Sequence, residues 1–253
     1  MSDERTETYT PGHSPNAVQF MARRSATSHA AFLLPHLRPG LRLLDIGPGP
    51  GTITLDLAAL VAPGPVVGID RADSQVHQAR QAAADRGMVN VEFAVGSVYG
   101  LGFADGSFDV VFAHAVFEHL SRPLDALAEL RRVVAPGGLV ALRSPDWGGF
   151  LINPETREVR AAIAAYEGLQ TRNGGNPHVG RTLRSLARQA GLTDVRFSAS
   201  YEIYDGQPAV IAEFLALKLE SVGDTASANA LRHWAGDPEA LFAQSWCEVL
   251  AKK

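Results

Sequence analysis

Apolar and polar positions divide the chain into two kinds of stretch. Leu41–Gly47, Val66–Arg71, Val91–Ser97, Phe108–Ala115 and Gly138–Ser144 are short apolar runs rich in Val or Leu, and they read as buried strands. Between them, Thr52–Ala62, Ser74–Gly87 and Pro123–Val134 fit helices. In the third, Leu124, Leu127, Ala128, Leu130 and Val134 supply a buried face before Pro136-Gly137-Gly138 stops it. Asp73 or Ser74 is predicted to cap the second helix, and Gly87 to end it. Strands alternating with helices predict a parallel sheet covered on both faces. A ligand then lies beyond the carboxyl ends of the strands, where the strand order reverses.

The rest of the chain extends this plan. Thr182–Ala190 is a helix with Leu183, Leu186, Ala187 and Ala190 on one stripe, and Val195–Tyr204 is a strand. Pro208–Val222 and Ala226–Trp234 are helical, and Trp246–Ala251 is read as a final edge strand rather than a helix end. The expected fold is therefore α/β: a Rossmann-like, doubly wound, mostly parallel seven-stranded sheet with helices on both faces and a helical lid. Two segments break the alternation. Residues 1–40 precede the first strand, and Asn16–Leu37 has helical stretches broken near Pro35. Residues 147–181 run from Trp147-Gly148-Gly149 past Asn173-Gly174-Gly175-Asn176-Pro177-His178, with a helical middle at Pro154–Leu169. The expected division is a lid segment at 1–40, a ligand-binding core at 41–146, a cap over a second pocket at 147–181, and at 182–253 the remainder of the core with extra helices.

Composition narrows the function classes. With 253 residues, 46% of them hydrophobic, the chain is long enough for a sizeable core. A formal charge of −4 and the lack of a long basic run argue against a nucleic-acid partner, whose affinity rests mostly on phosphate neutralisation. Cys247 is the one cysteine, which excludes an intramolecular disulfide or a thiolate metal cluster. There is no apolar stretch of about 18 residues, so no membrane span is expected. Met1–Thr10 is polar and acidic, unlike a signal peptide. These features predict a cytoplasmic protein, monomer or homodimer, with a small-molecule substrate.

The candidate chemistry begins at Leu43-Leu44-Asp45-Ile46-Gly47-Pro48-Gly49-Pro50-Gly51-Thr52, where a strand turns into a helix through three glycines at alternate positions. Such a turn lets the backbone approach a ligand and aims helix-terminal N–H groups at it. A dinucleotide fingerprint needs G-x-G-x-x-G or G-x-G-x-x-A, but Thr52 follows Gly51 here. A phosphate-binding P-loop needs Lys-Ser or Lys-Thr, which is missing. Asp45 just before the turn would repel a pyrophosphate and suits a cationic ligand better. Val67-Gly68-Ile69-Asp70 then ends a strand in an acid 19 residues after Gly51. A carboxylate there can hold both hydroxyls of a ribose, or it can simply serve the start of the following helix.

Together with Val95-Gly96-Ser97-Val98, Leu101-Gly102-Phe103-Ala104-Asp105-Gly106-Ser107-Phe108-Asp109 and Arg132-Val133-Val134-Ala135-Pro136-Gly137-Gly138, these motifs resemble the class I S-adenosylmethionine-dependent methyltransferases. The nearest subgroup is the ubiquinone/menaquinone-biosynthesis type, and the resemblance spans about residues 40–145. It implies S-adenosylmethionine as cofactor. Gly47, Gly49 and Gly51 would then pass beneath its methionine portion beside Asp45, and Asp70 would hold its ribose. Arg71 would flank the adenosine, Gly96, Ser97 and Val98 would border the adenine, and His114 and Ala115 would line the sulfonium end. Pro48 stands where the family often has Cys or Ser. Ser97 stands where it usually has Asp, offering the adenine amino group a neutral, shorter acceptor.

The resemblance further implies methyl transfer by in-line displacement to O, N or C of a small, partly apolar metabolite. The alternative is a protein that binds the cofactor without transferring methyl, cyclase-like or regulatory. His114-Ala115-Val116-Phe117 replaces the Asn/Asp-Pro-Pro-aromatic motif of DNA-adenine and protein-glutamine methylators, which disfavours that class. No metal is expected, because only scattered acids follow the strands. The candidate catalytic groups are His119, which also reads as a turn residue, His13 in the lid segment and Asp146 after the fifth strand. Tyr9, Trp147 and His178 are candidate substrate contacts, each also explicable as a loop or packing residue. Arg143, unusual within an apolar strand, is expected to pair with an acid or point toward the lid.

Overall fold

The computed structural model describes residues 7–204 and 206–253. The predicted first five strands are present as β1 (Leu43–Ile46), β2 (Val66–Asp70), β3 (Val91–Val95), β4 (Phe108–His114) and β5 (Val134–Pro145). β3, β2, β1, β4 and β5 lie side by side in that order, every neighbouring pair parallel. The order reverses between β1 and β4, so a crevice opens beyond their carboxyl ends. β7 (Thr193–Ile203) and β8 (Leu241–Lys252) complete the sheet antiparallel, β8 pairing with β5 on one side and β7 on the other.

Among the described residues, the sheet has eight strands where seven were expected. The additional one is β6 (Leu151–Asn153), in the segment expected to be cap alone. β5 pairs with Trp246–Lys252, the chain makes a 3-10 turn at Trp147–Gly149, and β6 then pairs with Leu241–Ala243 further along the same strand. Three residues before Pro154 are too few for a period-2 pattern to show. β8 also runs longer than the predicted Trp246–Ala251, because it serves all three neighbours.

Helices α3 (Thr52–Val61), α4 (Asp73–Asp85) and α5 (Pro123–Val133) fill the predicted positions among the first strands. Successive residues of a strand point to opposite faces, and the core divides accordingly. Leu44, Ile46, Val111 and Leu142 pack with Leu127 and Leu130 of α5 and with Leu183 and Ala187 of α7 (Leu183–Gln189). Leu43, Val66, Val110 and Phe112 pack on the other face with Leu57, Ala58 and Val61 of α3. Each of these side chains is essentially inaccessible to water, worth about 1.5–3 kcal/mol for each large one. A separate core holds α6 (Arg157–Arg172), α8 (Pro208–Glu220) and α9 (Thr225–Ala235) together through Trp147, Ile163, Tyr166, Leu215, Leu231 and Phe242.

α4 corrects one local expectation. Neither Asp73 nor Ser74 caps it; the N-cap is Ala72, and Asp73 is the first helical residue. The Asp70 carboxylate does the work instead, its Oδ1 accepting from Ala72 N–H at 2.9 Å. Gly87 ends the helix as predicted, with φ +63. The N-terminal segment contains α1 (Pro15–Ala22), α2 (Ala26–His29) and a 3-10 turn at Leu34–His36 that includes Pro35. Residues 1–6 of the expected lid lie outside the described residues. Among the described residues, no helix is long and apolar enough to cross a membrane.

Candidate active site

A cavity of about 600 Å³ opens at the carboxyl ends of β1, β2 and β4, where the strand order reverses. Its floor is the glycine turn. Gly47, Gly49 and Gly51 all adopt positive φ, but they face different surroundings. A Cβ on Gly47 would lie 2.6 Å from Val116 Cγ2, and one on Gly51 would lie 3.0 Å from the Ala79 Cβ. Those two glycines permit close packing, and Gly51 does not line the cavity. Gly49 is different: nothing lies within 3.9 Å of its Cβ position, so a side chain there would enter the cavity. α3 begins directly after Gly51 with no side-chain cap, leaving first-turn N–H groups at the cavity edge.

The two acids flanking this turn are held differently. Asp70 accepts from Gly49 N–H at 3.1 Å and from Ala72 N–H at 2.9 Å, so the second strand's acid braces the glycine turn. Asp70 thus serves the start of the following helix, and it also lines the cavity. Asp45 is buried and accepts from Thr54 Oγ1 at 2.5 Å. Burial pushes its pKa up to about 7 against the pull of that hydrogen bond. Both amide atoms of the buried Gln75, next to Gly49, have no hydrogen-bond partner among the described residues. A nucleoside with a cationic amino-acid tail fits these residues. The ribose hydroxyls can donate to Asp70, the ammonium restores charge to Asp45, and the Gly49 side is open.

The predicted adenine and sulfonium flanks also line the cavity: Arg71, Gly96, Ser97, Val98, His114 and Ala115. Ala115 has φ +56, an uncommon conformation for alanine, at the end of β4, where its N–H donates to the Arg143 carbonyl at 2.8 Å. His114 is buried, stacked on Trp246 at 4.8 Å and edge-on to His29 at 5.2 Å. Its pKa lies well below the usual histidine value, from burial and then from the charges of Arg24 and Arg143.

The N-terminal segment supplies the opposite wall. Glu7 accepts from Ser121 N–H at 2.6 Å, from Ser121 Oγ at 2.8 Å and from the Tyr99 hydroxyl, while its carbonyl accepts from Arg71 at 3.0 Å. Thr8 N–H donates to the Asn173 carbonyl, and Asn173 Nδ2 donates to Thr10 Oγ1. This strap positions Tyr9, which stacks on His13 at 5.1 Å and meets His119 edge-on at 4.7 Å. His119 is pushed down to about 3 by burial, then by Arg24 and Arg71. His13 is lowered by its own burial. Behind His119, burial pushes Glu118 up to about 7 while Ser144 Oγ donates to it at 2.9 Å.

Tyr9, His13 and His119 thus meet in the cavity, whereas Asp146, Trp147 and His178 do not line it. Asp146 is a loop anchor. It accepts from Arg181 Nε at 2.7 Å, Arg181 N–H at 2.9 Å and Gly148 N–H at 3.0 Å. Burial raises its pKa, but the Arg181 bonds outweigh this and hold it below the usual carboxylate range. Trp147 packs in the second core against Tyr166 and Phe242. His178 is partly exposed and lies 3.4 Å from Glu167. Arg143 pairs with Glu248 at 3.3 Å beneath the Trp246 ring rather than reaching the lid. Sequence reasoning missed Glu7, Met21, Arg24 and Gln75 in the cavity wall. None lies in a motif, and only the tertiary path of the N-terminal segment brings the first three there.

Residues 44–142 match the family profile described as a methyltransferase domain. An uncharacterized methyltransferase of Schizosaccharomyces pombe is 31% identical over 188 residues, covering 72% of this chain and 67% of that protein. A ubiquinone/menaquinone biosynthesis C-methyltransferase of Ectopseudomonas mendocina is 38% identical over 107 residues, 42% of each chain. This chain spans about half the length of two further curated relatives. Among solved structures, a SAM-dependent methyltransferase from Aquifex aeolicus superposes with a TM-score of 0.55 at 18% identity, covering 93% of this chain and 99% of that one. With the strand order, the glycine turn and the Asp70 carboxylate already agreeing, the chain belongs to the class I S-adenosylmethionine-dependent methyltransferases, and S-adenosylmethionine is its cofactor.

Proposed function

We propose that this protein methylates a small, partly apolar metabolite held between the N-terminal strap and the β4 end of the cavity. The observation that carries the reading is the continuity of one cavity from the glycine turn to a wall of Tyr9, His13, Met21, Arg24, His114 and His119. At about 600 Å³ it falls within the range of roughly 300–1,000 Å³ typical of small-molecule sites. The wall mixes apolar surface with a few polar groups, as such sites do.

Asp45, Gly47, Gly49, Asp70, Arg71, Gly96, Ser97 and Val98 are the cofactor residues of this proposal. S-adenosylmethionine supplies a methyl group already activated on a sulfonium. The chain's own residues then have to align the acceptor and exclude water, and positioning of that kind can supply roughly 7–11 kcal/mol. Tyr9, strapped over the cavity through Glu7 and Thr8, closes the acceptor side. His119 and His114 are held neutral, so they suit hydrogen bonding to the acceptor better than proton removal at neutral pH. Asp146 has no part in this reading, since Arg181 occupies its carboxylate.

Incubation of the protein with methyl-labelled cofactor and a metabolite extract tests the proposal. A labelled low-molecular-weight product is expected. Label found only on protein or RNA, or none at all despite cofactor binding, overturns it.

A further inference from the structure

Apart from the Gln75 amide beside Gly49, four buried nitrogen atoms of the cavity wall have no hydrogen-bond partner among the described residues: Arg24 Nε, both ring nitrogens of His114, and His119 Nδ1. They belong to one neighbourhood. Arg24 and His114 approach the same Trp246 ring, at 5.8 Å and 4.8 Å, and the Arg24 charge is felt at both histidines. A buried polar group left unpaired costs about 1–3 kcal/mol, so such a cluster marks a place built for a polar ligand group.

The sign of that group follows from the charges. Arg24 brings a guanidinium, a cationic side chain with no acceptor atoms. The other charged residues of the wall already have partners. Glu7 accepts from Ser121, Tyr99 and Arg71; Asp45 from Thr54; Asp70 from two backbone N–H groups; and Arg122 pairs with Asp125. Of the acids behind this end, Glu118 accepts from Ser144 and Glu202 Oε1 meets His29, while the Glu202 charge also reaches Arg24 without a hydrogen bond to it among the described residues. Among the described residues, the wall contributes no carboxylate hydrogen-bonded to Arg24, and an ammonium group placed beside it would be repelled.

The geometry points to Arg24 as the anchor of a carboxylate carried by the methyl acceptor, with His114 and His119 as its hydrogen-bonding neighbours. A guanidinium presents two parallel donors that match the two oxygens of a carboxylate, a fit that a single-point cation lacks. This inference rests on the methyltransferase reading for the word acceptor, but the carboxylate site itself can be tested without turnover.

Calorimetry on the protein loaded with S-adenosylhomocysteine, using benzoate, benzamide and benzylamine as matched probes, provides the test. Benzoate is expected to bind, benzamide and benzylamine to bind at least tenfold more weakly, and Arg24→Gln to weaken benzoate at least tenfold. Arg24→Lys should recover part of that loss. Unchanged affinity for S-adenosylhomocysteine in both variants shows that the fold and the cofactor side are intact. Benzoate that fails to bind, that binds no better than benzamide, or that binds Arg24→Gln as well as the original protein overturns the anchor. Absence of methyl transfer to any metabolite, with benzoate still bound through Arg24, removes the transferase proposal and leaves the anchor standing.

Discussion

The two halves of the cavity are built by opposite means. The half proposed for the cofactor comes from consecutive strand ends: Asp45 and Gly47–Gly49 at β1, Asp70 and Arg71 at β2, Gly96–Val98 after β3. Its contacts are largely backbone, and Asp70 ties two of these loops together by accepting from Gly49 N–H. The half proposed for the acceptor comes from residues distant in the chain, with Tyr9, His13 and Arg24 from the N-terminal segment meeting His114 and His119 from the β4 end. It is held by side-chain hydrogen bonds through Glu7 and Asn173. Sheet geometry determines the first half. The second depends on how one strap crosses the core.

Variants can break or sharpen this contrast. The largest effect is expected from Gly49→Val, which forces a β-branched residue to positive φ, at about 1–3 kcal/mol, and fills the cavity floor. S-adenosylhomocysteine affinity by calorimetry should fall by about 100-fold or more, with circular dichroism confirming a folded chain. Asp70→Ala comes next, at about 1.5–3 kcal/mol of cofactor binding, the range for hydrogen bonds to a charged group. Unchanged affinity would remove Asp70 from the site and reduce it to a brace for the glycine turn.

Asp45→Asn separates stability from binding. Because the folded-state pKa of Asp45 is raised to about 7, the folded protein keeps a proton that the unfolded chain has released. The stability tied to this group is therefore lost as pH rises from about 4 to about 7. At pH 8 the substitution should raise the Tm of the cofactor-free protein, a net gain of about 1–2 kcal/mol after the cost of an amide lacking one partner. At pH 4 the gain should vanish, and at both pH values cofactor binding should weaken. A Tm difference that does not change with pH would refute the raised pKa. The smallest effect is expected from His119→Gln. Cofactor affinity should stay within about twofold, and the pH–rate profile between 6 and 8 should keep its shape, since His119 is pushed down to about 3. Loss of a titrating limb near neutral pH would make His119 the base after all.

The strands, the helices of the core and the loops that line the cavity at the strand ends were legible because each is local. Period-2 and period-3.6 patterns, a glycine turn and an acid at a strand end all fall within a few consecutive residues. β6 was not legible, since a three-residue strand has no period and forms only because β8 outruns β5. Asp146 illustrates the same limit in the site. Its place after the fifth strand suggested a pocket mouth, and only the folded path of 177–181 shows that Arg181 takes its carboxylate.

By itself, the sequence determined the layered α/β plan and the methyl donor, because that site is made from backbone turns whose glycines and acids are adjacent in the chain. Only the tertiary structure brought the other wall together. Glu7, Met21 and Arg24 carry no local signal, and their places there arise from burial and from contacts made across more than a hundred residues, as with Glu7 and Ser121. The physical reason is range. Backbone conformation responds to near neighbours, whereas desolvation and Coulomb fields depend on whatever the fold places nearby.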